Sequence, residues 1–278
     1  MKIEEILKKF RMDYQFRIEY RTLKQYSTHV KQLADYTEKA FDVISKRDIR
    51  DWINTLMEKG YKPTTIRSKL IGLRTFFNYC YEEDLIQQNP ARGISFPKVE
   101  ETIPRYLTLI QLTQLRQLVE GLVKERALIE VLYATGIRLG ELSAMEKSDI
   151  NWSERSILIP KGKFKKGRIV LFTSTCATHL KAYLNSRTDQ LSYVFVNTMA
   201  TKTIRHQDTH EQFRNYSSRL EFRITPHMLR YTFAAHLAKK GMPLEAIQDL
   251  LGHDTPETTQ QYARLYDLAR KEVYDEWM

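Results

Sequence analysis

Apolar residues recur at helical spacing through the first hundred positions, and capping residues punctuate them. Ser45 followed by Asp48 predicts a helix through Ile49, Trp52, Ile53 and Leu56, closed by Gly60. After Lys62-Pro63, Thr64 is placed to cap a second helix carrying Ile66, Leu70, Leu73, Phe76, Phe77 and Cys80. An earlier apolar stripe runs from Leu23 to Tyr36. The pattern stops where Asn89-Pro90-Ala91-Arg92-Gly93 and Phe96-Pro97-Lys98 concentrate helix breakers, followed by the polar run Val99 to Arg105. This reads as a linker over 98–106 between a domain at 1–97 and another at 107–278. The second domain is expected to open with a helix, because Thr108 and Gln111 have capping-box spacing ahead of Leu112, Leu115, Leu118, Val119 and Leu122. Ser156 to Pro160 and Ile169 to Phe172 flank a basic turn and read as a hairpin, and Tyr193 to Val196 suggests a further strand. From there the pattern is helical to the end. The fold class expected is mainly α with a small β-sheet.

Composition adds to this picture. A length of 278 residues exceeds a typical domain of about 100 to 200, and 42% hydrophobic residues suffice for packed cores. No uninterrupted apolar run approaches the roughly 18 residues of a membrane span, and MKIEEILKKF lacks the apolar core of a secretory signal. A soluble cytoplasmic protein is expected. Cys80 and Cys176 are too few and too isolated for a disulfide framework or a thiolate metal site, and read as buried thiols. Lys and Arg total 44 against 34 Asp and Glu, a formal charge of +10, which points to a polyanionic partner such as nucleic acid without choosing DNA over RNA. Lys62, Arg67, Lys69 and Arg74 lie on or beside the second predicted helix and are candidate phosphate contacts, although exposed cations commonly just solvate a helix.

Three segments concentrate candidate chemistry. In ATGIRLGEL, Arg138 stands between a glycine turn and an apolar helix, with Glu141 three residues away as an ordinary ion-pair partner. In TPHMLR, Thr225 as N-cap and Pro226 at the first helical position start a helix that places His227 and Arg230 on one face, near amides that favour an anion. Pro243 starts a helix that Gly252-His253 terminates. Thr255-Pro256 then starts a short helix ending in Gln260-Gln261-Tyr262, nine residues after His253. Two arginines, two histidines, a lysine-rich turn and a tyrosine suit attack on a phosphodiester without a metal. Phosphoryl transition states spread negative charge over non-bridging oxygens, which arginine forks hold in pairs. A tyrosine hydroxyl, of free pKa about 10, must lose its proton as it attacks, and the leaving oxygen must gain one. His206 and His210 have metal-site spacing but no further ligands nearby and read as solvated loop residues.

These segments resemble the tyrosine recombinase (phage integrase) family, and most closely its compact Xer-type members. ATGIRLGEL resembles the family segment with the first catalytic arginine, TPHMLRYTFAAHLAKKG its His-x-x-Arg segment, and LLGHDTPETTQQYARL the segment with the second histidine and the nucleophile. The resemblance covers nearly the whole chain and implies a helical, SAM-like core-binding domain followed by an α+β catalytic domain. It implies Arg138 and Arg230 as phosphate clamps, His227 as an acid/base group, His253 as a phosphate donor and Tyr262 as the nucleophile, with no cofactor. The usual Gly-Lys-Gly-x-Lys-x-Arg turn reads here Gly162-Lys163-Phe164-Lys165-Lys166-Gly167-Arg168, with Phe164 replacing a glycine. Lys163 is favoured over Lys161 as the general acid, and Lys161, Lys165, Lys166 and Arg168 are assigned to backbone phosphates. The family's mechanism runs through a 3′-phosphotyrosyl link and a Holliday junction. It implies a homotetramer on two synapsed double-stranded sites with inverted repeats, with or without a partner recombinase or accessory protein, and no membrane. The tail from Tyr266 to Met278 is expected to pack into a neighbouring protomer. Because the core-binding helices begin almost at once, resolution or a simple mobile element is favoured over arm-binding phage integration. Two rival readings are a non-catalytic DNA-binding protein on the same fold and a type IB topoisomerase or telomere resolvase.

Overall fold

The computed structural model describes residues 3–99, 104–160, 167–252 and 256–278, with the side chains of 256–261 and 276 excepted. His253, Lys161, Lys163, Lys165 and Lys166 lie outside the described residues. The chain divides into two compact units, Met1–Glu101 and Thr102–Met278.

The first unit packs four helices, α1 (Ile3–Tyr14), α2 (Tyr20–Thr37), α3 (Lys46–Glu58) and α4 (Pro63–Glu82). Ser45 starts α3 through a capping box, its hydroxyl accepting from the Asp48 amide while the Asp48 carboxylate accepts from the Ser45 amide at 2.8 Å. The start of α4 differs from the expected Thr64 cap. Lys62 is the N-cap and Pro63 the first helical residue, because proline's fixed φ and missing N–H suit that position. Ile66, Leu70, Leu73, Phe76, Phe77 and Cys80 are buried along α4, and Phe10 meets Phe76 edge-to-face at 5.6 Å. Gly72 lets α2 approach closely, since a Cβ there would lie 2.8 Å from His29 Nδ1 and 3.3 Å from Tyr26 Cα.

The second unit opens with α5 (Leu109–Leu118), whose Thr108–Gln111 capping box is present, followed by α6 (Val123–Thr135) and α7 (Leu139–Ala144). An antiparallel sheet follows, β1 (Ile150–Asn151), β2 (Ser156–Ile159) and β3 (Arg168–Leu171), in the order β1-β2-β3 with Ile157 opposite Val170 and Leu158 opposite Ile169. Ile157, Ile159 and Val170 face the core while Leu158, Ile169 and Leu171 face out, the two-residue alternation of a one-sided sheet. The rest is α8 (Ser174–Ser186), α9 (His206–Leu220), α10 (Pro226–Lys239), α11 (Leu244–Leu251) and α12 (Pro256–Trp277).

Three expectations are corrected. Tyr193 to Val196 forms no sheet strand; Glu146 and Tyr193, and Val196 and Thr203, meet only as isolated bridges. His206 and His210 lie in α9, not in a loop, and His206 Nε2 is 3.0 Å from Ser143 Oγ. No cluster that could hold a metal occurs among the described residues. The helix expected to end at Tyr262 continues to Trp277, since no glycine or proline follows Pro256 to stop it. Its continuation packs along its own unit, with Leu265 and Ala269 buried and Glu272 bonded to Tyr106, while Tyr274 and Trp277 beyond them are exposed. Both cysteines are free and buried, and no described helix is long and apolar enough to cross a membrane.

Candidate active site

Gly136 places the first arginine. It ends α6 in the left-handed region at φ 62°, its amide donating to the Leu132 carbonyl at 3.1 Å. A Cβ at this position would meet Phe233 Cδ1 at 2.5 Å, so both backbone and space call for glycine. The chain then turns through buried Ile137 to Arg138, the N-cap of α7. Glu141 accepts from the Arg138 amide at 2.7 Å and from its Nη1 at 3.1 Å, while Arg138 Nη2 donates to the Gly252 carbonyl at 3.1 Å. The same carboxylate takes both ends of the Arg168 fork, at 2.8 and 2.7 Å. Burial pushes the Glu141 carboxyl up, but the Arg168 and Arg138 hydrogen bonds outweigh it and hold the pKa at about 2. Glu141 therefore fixes two arginines and keeps its charge across the working pH range.

Thr225 caps α10 through the Met228 amide and Pro226 is its first residue, so the cap and proline pattern gives the predicted start. Three residues apart, His227 and Arg230 share a face of that helix. Arg230 is only 2% exposed, yet it stays charged because its guanidinium spends its donors well. Nη1 reaches the Gly136 carbonyl at 2.6 Å, Nη2 the Leu251 carbonyl at 2.9 Å, and Nε the Tyr262 hydroxyl at 3.1 Å. Burial pulls its pKa down from the usual value. These acceptors are neutral oxygens, so they offset desolvation without cancelling the positive charge.

Tyr262 is 2% exposed in a cluster with Phe233, Ile247, Leu251 and Leu265. Burial raises its pKa, and the positive charges of Arg230 and Arg138 work against that rise. Tyr231 joins the two candidate acid/base groups, its ring 5.3 Å from that of Tyr262 and 4.4 Å, edge-on, from that of His227. The His227 pKa is lowered by partial desolvation and then by the nearby Arg230 and Arg138, although the residue reaches solvent. At neutral pH its imidazole is therefore uncharged and able to take a proton.

Among the predicted chemical residues, Arg138, His227, Arg230 and Tyr262 come together, while His253 and Lys163 fall outside the described residues. Arg168 is not a free surface cation; its side chain is 15% exposed and bound by Glu141. Glu141 was visible in the sequence only as a local partner of Arg138, and nothing in the spacing pointed to its second arginine. On α4, Lys62 and Arg67 are exposed as expected. Lys69 is not: it is buried, donates to Gln32 Oε1, and has its Nζ 5.4 Å from the ring centroids of both Trp52 and Tyr61. Position 69 lies one turn from Ile66 and Leu73 on the inward side of the helix. Arg74 is half-buried, stacked 4.0 Å over Phe96 and donating to the Ala91 and Ile94 carbonyls, so it pins the segment leading out of the first unit.

A buried tyrosine hydroxyl held by one arginine, with a second arginine and a neutral histidine beside it, is an arrangement chemically suited to a phosphoryl group. The phage integrase family model matches residues 105–268, and that of the phage integrase N-terminal SAM-like domain matches residues 6–87. The chain is 32% identical over 269 residues to tyrosine recombinase XerC of Thermodesulfovibrio yellowstonii, covering 91% of this chain and 89% of that protein. It is 33% identical over 241 residues to tyrosine recombinase XerC of Bacillus subtilis, covering 81% and 78%. Among solved structures, that of XerA recombinase aligns over 98% of both chains at 27% identity with a TM-score of 0.57. The chain belongs to the phage integrase family and is a site-specific tyrosine recombinase of Xer-like type.

Proposed function

We propose that Tyr262 is the nucleophile that breaks and rejoins DNA strands, with Arg138 and Arg230 holding the scissile phosphate. The observation that carries this reading is the Tyr262 hydroxyl 3.1 Å from Arg230 Nε in a site shared with Arg138. In the forward step the Tyr262 oxygen bonds to phosphorus and the bond from phosphorus to the 5′ oxygen breaks, leaving a 3′-phosphotyrosine. His227 receives the phenolic proton and Lys163, or Lys161, supplies the proton that the leaving oxygen needs. His253 donates to a non-bridging oxygen. The two guanidiniums oppose the charge that develops on the phosphoryl oxygens, which is where catalysis of this reaction gains most. Attack by the 5′ hydroxyl of a second duplex reverses the chemistry on a new strand. The phosphodiester energy is conserved in the phosphotyrosine, so ATP has no part to play.

The partner in this reading is double-stranded DNA with inverted-repeat sites. The solved complexes of XerH with its difH substrate and of a lambda integrase dimer with its core site support it. A homotetramer on two synapsed sites, passing through a Holliday junction in the cytoplasm, completes the proposal, with the residues 1–97 gripping the core site and Lys62 and Arg67 contributing to backbone contacts. Integration and the resolution of mobile-element, plasmid or chromosome dimers all use this chemistry. The test is incubation of the protein and of Tyr262→Phe with nicked suicide DNA carrying sites from its genetic neighbourhood, with EDTA present and any partner recombinase supplied. A protein–DNA adduct on a denaturing gel that disappears in the variant is the expected result. Tight site binding without an adduct from the unaltered protein sinks the catalytic reading in favour of a DNA-binding one.

A further inference from the structure

Three arginines converge on the last turn of α11. The final carbonyls of a helix have no amide donor within it, and here three consecutive ones each take a guanidinium nitrogen. Leu250 accepts from Arg168 Nε at 3.0 Å, Leu251 from Arg230 Nη2 at 2.9 Å and Gly252 from Arg138 Nη2 at 3.1 Å. The partial negative charge of a helix C-terminus suits all three. Gly252 makes room for the arrangement, since it turns at φ 64° and a Cβ there would lie 2.7 Å from Arg168 Cδ. Arg168, from β3, differs from the other two in its acceptors. Its fork closes on Glu141, Nη1 to Oε1 at 2.8 Å and Nη2 to Oε2 at 2.7 Å, so all three nitrogens are engaged and a carboxylate matches the charge. Arg138 adds one bond to each of the same oxygens, Nη1 on Oε1 at 3.1 Å and its amide on Oε2 at 2.7 Å. Together the two arginines fill the acceptor positions of the carboxylate.

We infer that Arg168 is a positioning residue for strand cleavage: it saturates Glu141 from β3, so that the carboxylate holds the Arg138 side chain by one nitrogen and leaves the rest of that guanidinium to the phosphate. This rests on the reading of Arg138 as a phosphate clamp. Without the Arg168 fork, Glu141 has acceptor positions open beside Arg138, and a carboxylate so placed closes on a guanidinium in a two-bond pair. Arg138 is then drawn towards Glu141 and away from the phosphate, and a misplacement of about 1 Å can cost on the order of a hundredfold in rate. A backbone-phosphate role, the expectation from the resemblance, does not suit a side chain 15% exposed with every nitrogen bonded. Arg168 therefore acts on the rate through Arg138 and not on the grip of the DNA site.

The test measures adduct formation on suicide DNA in a single turnover at saturating DNA, with site affinity, its salt dependence and melting temperature measured alongside. Arg168→Lys keeps the charge but cannot span both Glu141 oxygens and the Leu250 carbonyl. It is expected to slow cleavage on the order of tenfold at unchanged affinity and salt slope. In an Arg138→Lys background the same change is expected to cost less than about twofold, because the guanidinium it positions is already gone. Should Arg168→Lys unfold at the assay temperature, Arg168→Gln, whose amide still donates to Glu141, takes its place in the same cycle. An unaltered rate in the single variant, a loss that follows affinity or salt slope, or losses that multiply in the double variant overturn the inference and leave Arg138 as the clamp. If Arg138→Lys alone leaves the rate unchanged, the clamp reading fails and the inference goes with it.

Discussion

Among the described residues, Lys69 in the first unit and Arg230 in the second are both buried cations, and the two differ in what surrounds them. Lys69 in the first unit lies near the aromatic rings of Trp52 and Tyr61 and donates to an amide oxygen, and burial lowers its pKa. Arg230 in the second unit points its fork at two backbone carbonyls and a tyrosine hydroxyl. The first arrangement lets a long side chain fill the space between helices while its charge is spread over ring faces. The second keeps a full positive charge beside a group able to become an anion, in a place where water cannot screen it. Burial of a cation is thus not a sign of function; the chemistry of its acceptors decides.

The sharpest way to break this contrast is to remove each charge while keeping the volume. Arg230→Met is expected to lower single-turnover adduct formation by at least a hundredfold, whereas Lys69→Met leaves the rate and the site affinity within about twofold. Equal losses in the two variants would make Lys69 a functional cation. Next in size is Gly136→Ala, which forces an unfavourable φ and pushes a methyl into Phe233. A loss of about 1 to 3 kcal/mol in urea unfolding is expected together with loss of cleavage, because the same carbonyl holds Arg230.

Smaller effects separate the exposed cations of α4 from the buried one. Removing Lys62 or Arg67 is expected to reduce the salt dependence of site binding by about one unit of slope each, and Lys69→Met to leave the slope unchanged. pH gives a further distinction. His227 titrates below its usual 6.5, so adduct formation is expected to hold from neutral pH through 6.5 and to fall only below it, as the imidazole gains a proton; His227→Asn should remove this acid limb. His29 in the first unit has its pKa lowered to about 4 by burial and by Lys69. The unfolded chain takes up that proton from about pH 6.5 downward and the folded chain only near 4. Stability of the first unit is therefore full above 6.5 and declines between 6.5 and 4, a slope in urea midpoint that His29→Gln should flatten.

The elements legible in the sequence were those whose signals are local. Ser45, Thr108 and Thr225 cap helices because the cap bond closes within three residues, and the hairpin shows in its two-residue alternation. The chemical residues were legible as residue types in short segments, and the structure brings four of them together. What escaped was decided at a distance. Thr64 has the right side chain for a cap, but Pro63 already fixes the first turn. Lys69 sits among charged neighbours in the sequence, and only the packing of α2 and α3 turns it inward. The Arg168 fork on Glu141 joins positions 27 residues apart, and the Tyr106 bond to Glu272 joins positions 166 apart, separations that no local pattern encodes.

The three tryptophans happen to divide the molecule optically. Trp52 is buried against α4 in the first unit, Trp152 lies edge-on to Phe172 at 6.0 Å beside the sheet, and Trp277 stands 86% exposed at the far end of the helix that carries Tyr262. With Trp52 and Trp152 replaced by phenylalanine, the remaining indole emits from the rod on which the nucleophile rides. Its fluorescence would follow that rod through DNA binding and strand cleavage with no dye attached.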